Sequence, residues 1–205
     1  MNDLDFAALL VSRVCHDLVS PVGAVVNGLE VLEDETDAEM REDALRLVAS
    51  SAEQAAARLQ FARIAYGAAG SAGAELDMTE VARVVTGLMK GGKVELIWTP
   101  QAINWPKDWA KLLMNTVVVA MDCLPRGGRV SVELPADPQA RQFSVIATGT
   151  VARINQDTER ALKGEPAGAL DGRLIQPYLT HILSRGLNAA LTVTLGEGEV
   201  RFDAG

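Results

Sequence analysis

The sequence predicts an α+β chain: a helical hairpin that pairs with a second copy as a dimeric four-helix bundle, followed by one α/β domain. Three observations predict it. Two long stretches, about 4–33 and 37–66, carry apolar residues at helical spacing and are joined by the polar turn Asp34-Glu35-Thr36-Asp37. The run Gly67-Ala68-Ala69-Gly70-Ser71-Ala72-Gly73-Ala74 reads as a small-residue linker. Beyond it, helix-like and strand-like segments are mixed to the C-terminus. The boundaries follow as 1–66 for the hairpin, 67–74 for the linker and 75–205 for the α/β domain.

At about 100° per residue, Phe6, Leu10, Val14, Leu18, Val22, Val25, Leu29 and Leu32 gather on one face of the first helix. That face is wider than one partner helix covers, and two helices cannot enclose a core, so a second copy is expected to complete the bundle. Pro21 costs about 3 kcal/mol in a helix interior. It frees a carbonyl one turn earlier and is expected to bend the helix just beyond His16. Thr36-Asp37-Ala38-Glu39 has the form of a capping box opening the second helix, whose alanines and serines permit close helix approach. Each arm is about 45 Å long.

After the linker, Thr79 to Met89 reads as a helix, Val94 to Trp98 as a strand and Lys107 to Leu124 as a helix. Pro125-Arg126-Gly127-Gly128 turns into a strand at Val130 to Leu134, and Phe143 to Ala147 is another. Helices near Gln156 to Leu162 and Leu174 to Leu187 precede strands at Leu191 to Leu195 and Glu199 to Phe202, which flank a Gly196-Glu197-Gly198 turn. The sequence contains no repeat.

Apolar residues make up 48% of the chain and aromatics only 4%, so aliphatic and alanine packing must fill the interior. No apolar run reaches the roughly 18 residues of a membrane span. The start Met1-Asn2-Asp3 lacks a basic leader head. The expectation is a soluble, cytoplasmic protein without a membrane partner. The net charge of −8 argues against nucleic acid. Cys15 and Cys123 show no pairing or metal spacing and read as reduced, buried thiols. His16 and His181 are the sole histidines and share no metal motif.

His16 falls opposite the apolar face, with Arg13, Ser20, Gly23 and Asn27 as neighbours. Its segment, Val14-Cys15-His16-Asp17-Leu18-Val19-Ser20-Pro21-Val22, resembles the H-box of two-component histidine kinases, which surrounds a phosphorylated histidine. The order of elements after the linker resembles the ATP-binding domain of those kinases, yet its chemistry is missing. Asn115 matches the first asparagine of their Asn-x-x-x-Asn helix, and Pro125-Arg126-Gly127-Gly128 keeps their Pro-x-Gly-Gly turn. The metal-holding second asparagine aligns with Val119, which has no donor atom for a cation. The adenine-reading aspartate has become Ala147, and only Gly172 stands where a glycine-rich phosphate loop belongs.

A histidine bundle joined to a degenerate kinase-like module resembles the dimeric bacterial histidine phosphotransferases of the ChpT type, over the whole chain. The resemblance implies reversible phosphoryl transfer between His16 and receiver-domain aspartates, in phosphorelays that control the cell cycle. The partners implied are receiver domains of a hybrid histidine kinase and of response regulators. The chain binds no cofactor in this reading, because the receiver supplies magnesium. Neutral imidazole is the nucleophile. Asp17 is placed to orient the ring or accept its other N–H proton; the alternative is a solvated helix charge. Arg13 and Ser20 lie one turn either side, within reach of a phosphoryl group or a docking receiver, or are ordinary surface. His181 reads as structural. An active kinase, a receiver phosphatase using Ser20 and a receiver-docking scaffold stay open as other classes.

Overall fold

The computed structural model describes residues 2–67, 74–99, 103–135, 137 and 139–205. Residues 68–73 of the expected linker lie outside the described residues. Two helices, α1 (Asp3–Asp34) and α2 (Ala38–Ala65), form the hairpin. There follow β1 (Glu75–Asp77), α3 (Met78–Met89), β2 (Val94–Trp98), β3 (Asn104–Pro106), α4 (Lys107–Asp122), β4 (Gly128–Glu133) and β5 (Phe143–Thr148). The chain ends with α5 (Gln156–Leu162), α6 (Ile175–Gly186), β6 (Leu191–Gly196) and β7 (Glu199–Ala204).

The main sheet has the order β2-β4-β5-β7-β6. The β2 and β4 strands are parallel, with Val94 opposite Gly128, and the other pairs are antiparallel. Helix α4 is the centre of the core: Leu112, Leu113, Met114, Val117 and Ala120 are fully buried, as are Val130, Val145, Val200 and Phe202 of the sheet. Phe61 and Ala65, in the last turn and a half of α2, join this cluster and anchor the hairpin to the α/β unit. The short antiparallel pair β1–β3 brings Leu76 opposite Trp105. Both strands have three residues, too few for a period-two pattern to be read from sequence.

Both hairpin helices are capped by acidic or amide side chains. Asn2 and Asp5 make a capping box at α1, with the Asp5 N–H donating to Asn2 Oδ1 at 2.8 Å. At α2 the cap is Asp37, whose Oδ1 accepts from the N–H groups of Glu39 and Met40 at 3.0 Å. The expected Thr36 box is therefore displaced by one residue: the Asp37 carboxylate serves two N–H groups. Gly28 lets the two helices pack closely, since a Cβ there would lie 2.6 Å from Val48 Cγ2.

Helix α1 leaves much of its apolar face uncovered within the single chain. Only Pro21 and Gly28 are buried. Val22 and Leu29, on the wide apolar face expected to need a second copy, are 49% and 48% exposed, and Val11, Val19 and Val26 are exposed with them. Helix α2 adds Leu45 and Leu59 to the uncovered apolar surface. By length and composition this helix is apolar enough to cross a membrane. The expectation that no such segment exists is corrected: isolated polar residues interrupt the apolar run without making the helix polar as a whole.

Candidate functional site

His16 stands on the open side of α1, its side chain 85% exposed. Its Nδ1 lies 3.4 Å from Asp17 Oδ1, which leaves Nε2 facing solvent. The other Asp17 oxygen, Oδ2, accepts from Arg13 Nε at 3.0 Å. Arg13 in turn donates through Nη1 to the Gly172 carbonyl at 3.2 Å, tying α1 to the loop before α6. Arg13 therefore does not share the open face of His16; its side chain is only 20% exposed and is held between Asp17 and Gly172. Asp17 is an anchored group rather than a solvated charge. Ser20 is exposed one turn after His16, and its hydroxyl makes no hydrogen bond among the described residues.

Pro21 removes the N–H that would serve the Asp17 carbonyl. Arg58 of α2 donates to that carbonyl through Nη1 at 2.7 Å. Arg58 was not legible from sequence, where it is one basic residue following Ala55-Ala56-Ala57. Arg13, Val14, Asp17, Arg58, Tyr66 and Asp122 line a cleft of about 160 Å³ between the hairpin and α4. Burial raises the Asp122 carboxyl, with the Arg13 charge acting in the opposite sense.

Behind this cleft a buried polar chain joins three helices. The Tyr66 hydroxyl donates to Gln176 Oε1 at 2.5 Å, and Gln176 Nε2 donates to Asn115 Oδ1 at 2.5 Å. Asn115 Nδ2 then donates to the carbonyls of Lys111 at 2.8 Å and Ala65 at 3.3 Å. Burial pushes the Tyr66 hydroxyl up to about 12. Asn115, the position matching the first asparagine of the kinase helix, is fully buried and spends its amide on this chain.

The other positions compared with the kinase motifs are likewise structural. Val119 is 1% exposed, and Ala147 is fully buried within β5. Gly127 and Gly128 have φ of +83° and +147°; Cβ atoms there would lie 2.5 Å from the Lys93 carbonyl oxygen and 2.4 Å from that of Thr148. The retained glycine turn is therefore needed by the chain itself, to seat the start of β4 between β2 and β5. Asp171 caps the turn after it, its carboxyl held below the usual range by the N–H groups of Leu174 and Arg173.

His181 is occupied by packing. Its Nδ1 lies 3.0 Å from the Leu162 carbonyl, and its ring stacks on Tyr178 at 6.2 Å. Cys123 is buried, with burial and neighbouring Asp122 pushing its thiol up to about 12. Cys15, expected to be buried, is exposed, because the outward side of α1 is uncovered in the single chain. Among the described residues no group of three or more His, Cys, Asp or Glu side chains could hold a metal.

A family model described as the histidine phosphotransferase C-terminal domain matches residues 78–199. Protein phosphotransferase ChpT of Brucella abortus (strain 2308) is 38% identical over 205 residues, covering 100% of this chain and 97% of its own. The 1.7 Å structure of a bacterial phosphotransferase superposes with a TM-score of 0.89 at 35% identity, covering 100% of this chain and 98% of that one.

Proposed function

The chain belongs to the histidine phosphotransferase family, and on that premise we propose that His16 takes up the phosphoryl group and hands it on. The protein is a phosphotransferase of a phosphorelay. The observation that carries the assignment of His16 is its geometry. It offers an open Nε2 on a long helix, with Nδ1 turned to an anchored carboxylate. His181, the other histidine, is held by the Leu162 carbonyl and by Tyr178.

The partners are receiver domains, those of a hybrid histidine kinase and of response regulators, between whose aspartates the group passes. The Nε2 lone pair attacks the phosphorus of the receiver's aspartyl phosphate. The N–P bond forms as the bond from phosphorus to the aspartate oxygen breaks, and the aspartate leaves as a carboxylate. The ring keeps its proton on Nδ1, where Asp17 Oδ1 faces the positive charge that develops. Onward transfer runs the same bonds in reverse with a second receiver. Magnesium held by the receiver offsets the charge on the moving group, so this chain's contribution is positioning.

The burial of Val119 and Ala147 and the engagement of Asn115 support a chain that does not use ATP and has no autokinase activity. The uncovered stripe Val11, Val19, Val22, Val26 and Leu29 of α1, with Leu45 and Leu59 exposed on α2, supports a second copy closing a four-helix bundle. Each aliphatic side chain fully covered there contributes about 1.5–3 kcal/mol. In a bilayer instead, Arg13, His16 and Asp17 would stand within the span at a cost of several kcal/mol. We assign the protein to the cytoplasm, which the cost of those charges in a bilayer supports, and to the cell-cycle setting that the resemblance to ChpT implies.

Incubation with a receiver carrying labelled phosphate tests the assignment. The label is expected on the wild-type chain and absent from His16→Ala. Release of free phosphate without labelled chain would favour a phosphatase acting through Ser20. No change in the receiver would leave only a docking scaffold. Either result would overturn the relay reading.

A further inference from the structure

Pro21 lies inside α1 and is buried. A helical N–H at position 21 would bond the carbonyl four residues earlier, that of Asp17, and proline has none. The carbonyl left without its helical donor thus belongs to the residue next to His16. Arg58 reaches across from α2 and donates to it at 2.7 Å, the single hydrogen bond of the Arg58 side chain among the described residues. A guanidinium donor makes such a bond stronger than the amide bond it stands in for. Asp17 is then held at two atoms, the backbone oxygen by Arg58 and Oδ2 by Arg13.

We propose that Arg58 is a positioning residue for transfer at His16: it replaces the helical hydrogen bond that Pro21 removes, and so fixes the turn of α1 that presents Asp17 and His16. This rests on His16 being the phosphoryl acceptor. Without the Arg58 donor the Asp17 peptide can tilt, and Asp17 Oδ1 and the imidazole tilt with it. Arg58 lines the cleft on the α2 side, whereas His16 stands on the open side of α1, so direct contact with the incoming phosphoryl group is not its role.

The test compares Arg58→Met in two backgrounds, wild type and Pro21→Ala, in the full-length protein. In the Pro21→Ala background the helix supplies its own N–H to the Asp17 carbonyl, and Arg58 becomes dispensable. Single-turnover transfer from a phosphorylated receiver is expected to fall about tenfold for Arg58→Met in the wild-type background, and less than about twofold in the Pro21→Ala background. An equal loss in both backgrounds would overturn the proposal and make Arg58 a direct contact. The Asp17 carbonyl ¹³C resonance gives a readout that needs no transfer. It is expected to move upfield, as an unbonded carbonyl does, in Arg58→Met and to return in the double variant. An unmoved resonance would overturn the proposal even if Pro21→Ala itself abolished transfer. A moved resonance with no transfer by the wild type would instead locate the failure in the His16 assignment.

Discussion

Replacing Gln176 by leucine should loosen the attachment of the hairpin to the α/β unit. Gln176 is fully buried and links the Tyr66 hydroxyl to Asn115 Oδ1. Leucine has nearly the same volume, so little cavity forms and the loss is polar. The hydroxyl of Tyr66 and the carbonyl of Asn115 would each be left without this partner, at about 1–3 kcal/mol apiece. Removing the buried amide of Gln176 itself offsets part of that, since an apolar side chain has no desolvation cost. The expected net destabilisation is about 2–4 kcal/mol, read as the shift of the urea midpoint at fixed protein concentration, which association would otherwise displace. Adding Tyr66→Phe should recover about half of the loss, because the orphaned hydroxyl disappears. A loss under about 0.5 kcal/mol for Gln176→Leu, or a further loss on adding Tyr66→Phe, would refute the claim that this chain of hydrogen bonds holds the two parts together.

Three other expectations follow from the same geometry. Because folding raises the Tyr66 hydroxyl from 10.0 to about 12, its contribution is fully present below about pH 10 and is lost as pH rises towards 12. Tyr66→Phe should therefore flatten the fall in stability across that window in alkaline denaturation profiles, and an unchanged slope would contradict it. A Val22→Glu/Leu29→Glu pair on the uncovered stripe of α1 should turn a dimer into a folded monomer in light scattering at micromolar concentration. A wild-type monomer under those conditions would contradict the bundle. ATP with magnesium should give no binding heat in calorimetric titration at micromolar protein, and micromolar affinity would overturn the reading of Val119 and Ala147.

The helices and the main sheet were legible because their signals are local. Apolar spacing, the Pro125-to-Gly128 turn and the alternation in Val130 to Leu134 each report on neighbours in sequence. The short β1–β3 pair was not legible, since three-residue strands carry no period. Of the candidate site only two neighbouring residues were legible. His16 and Asp17 stand out through a local pattern, and the pattern also showed that Pro21 leaves a carbonyl without a donor. It could not show that Arg58, 41 residues further on, supplies that donor, nor that Arg13 turns inward to Gly172 across a separation of 159 residues. Such contacts are set by how the helices pack. Periodicity likewise tells which side of α1 is apolar, and its width tells that one partner helix does not cover it, but not which residues the same chain leaves open.

The most direct test is to locate the phosphoryl group after transfer. The protein, phosphorylated by a receiver and kept at neutral to alkaline pH to preserve phosphohistidine, would be fragmented and sequenced by mass spectrometry. One phosphoryl group on His16, lost on acid treatment and absent from His16→Ala, is the result expected. A phosphoryl group on His181 or on a carboxylate, or its retention by His16→Ala, would contradict the account.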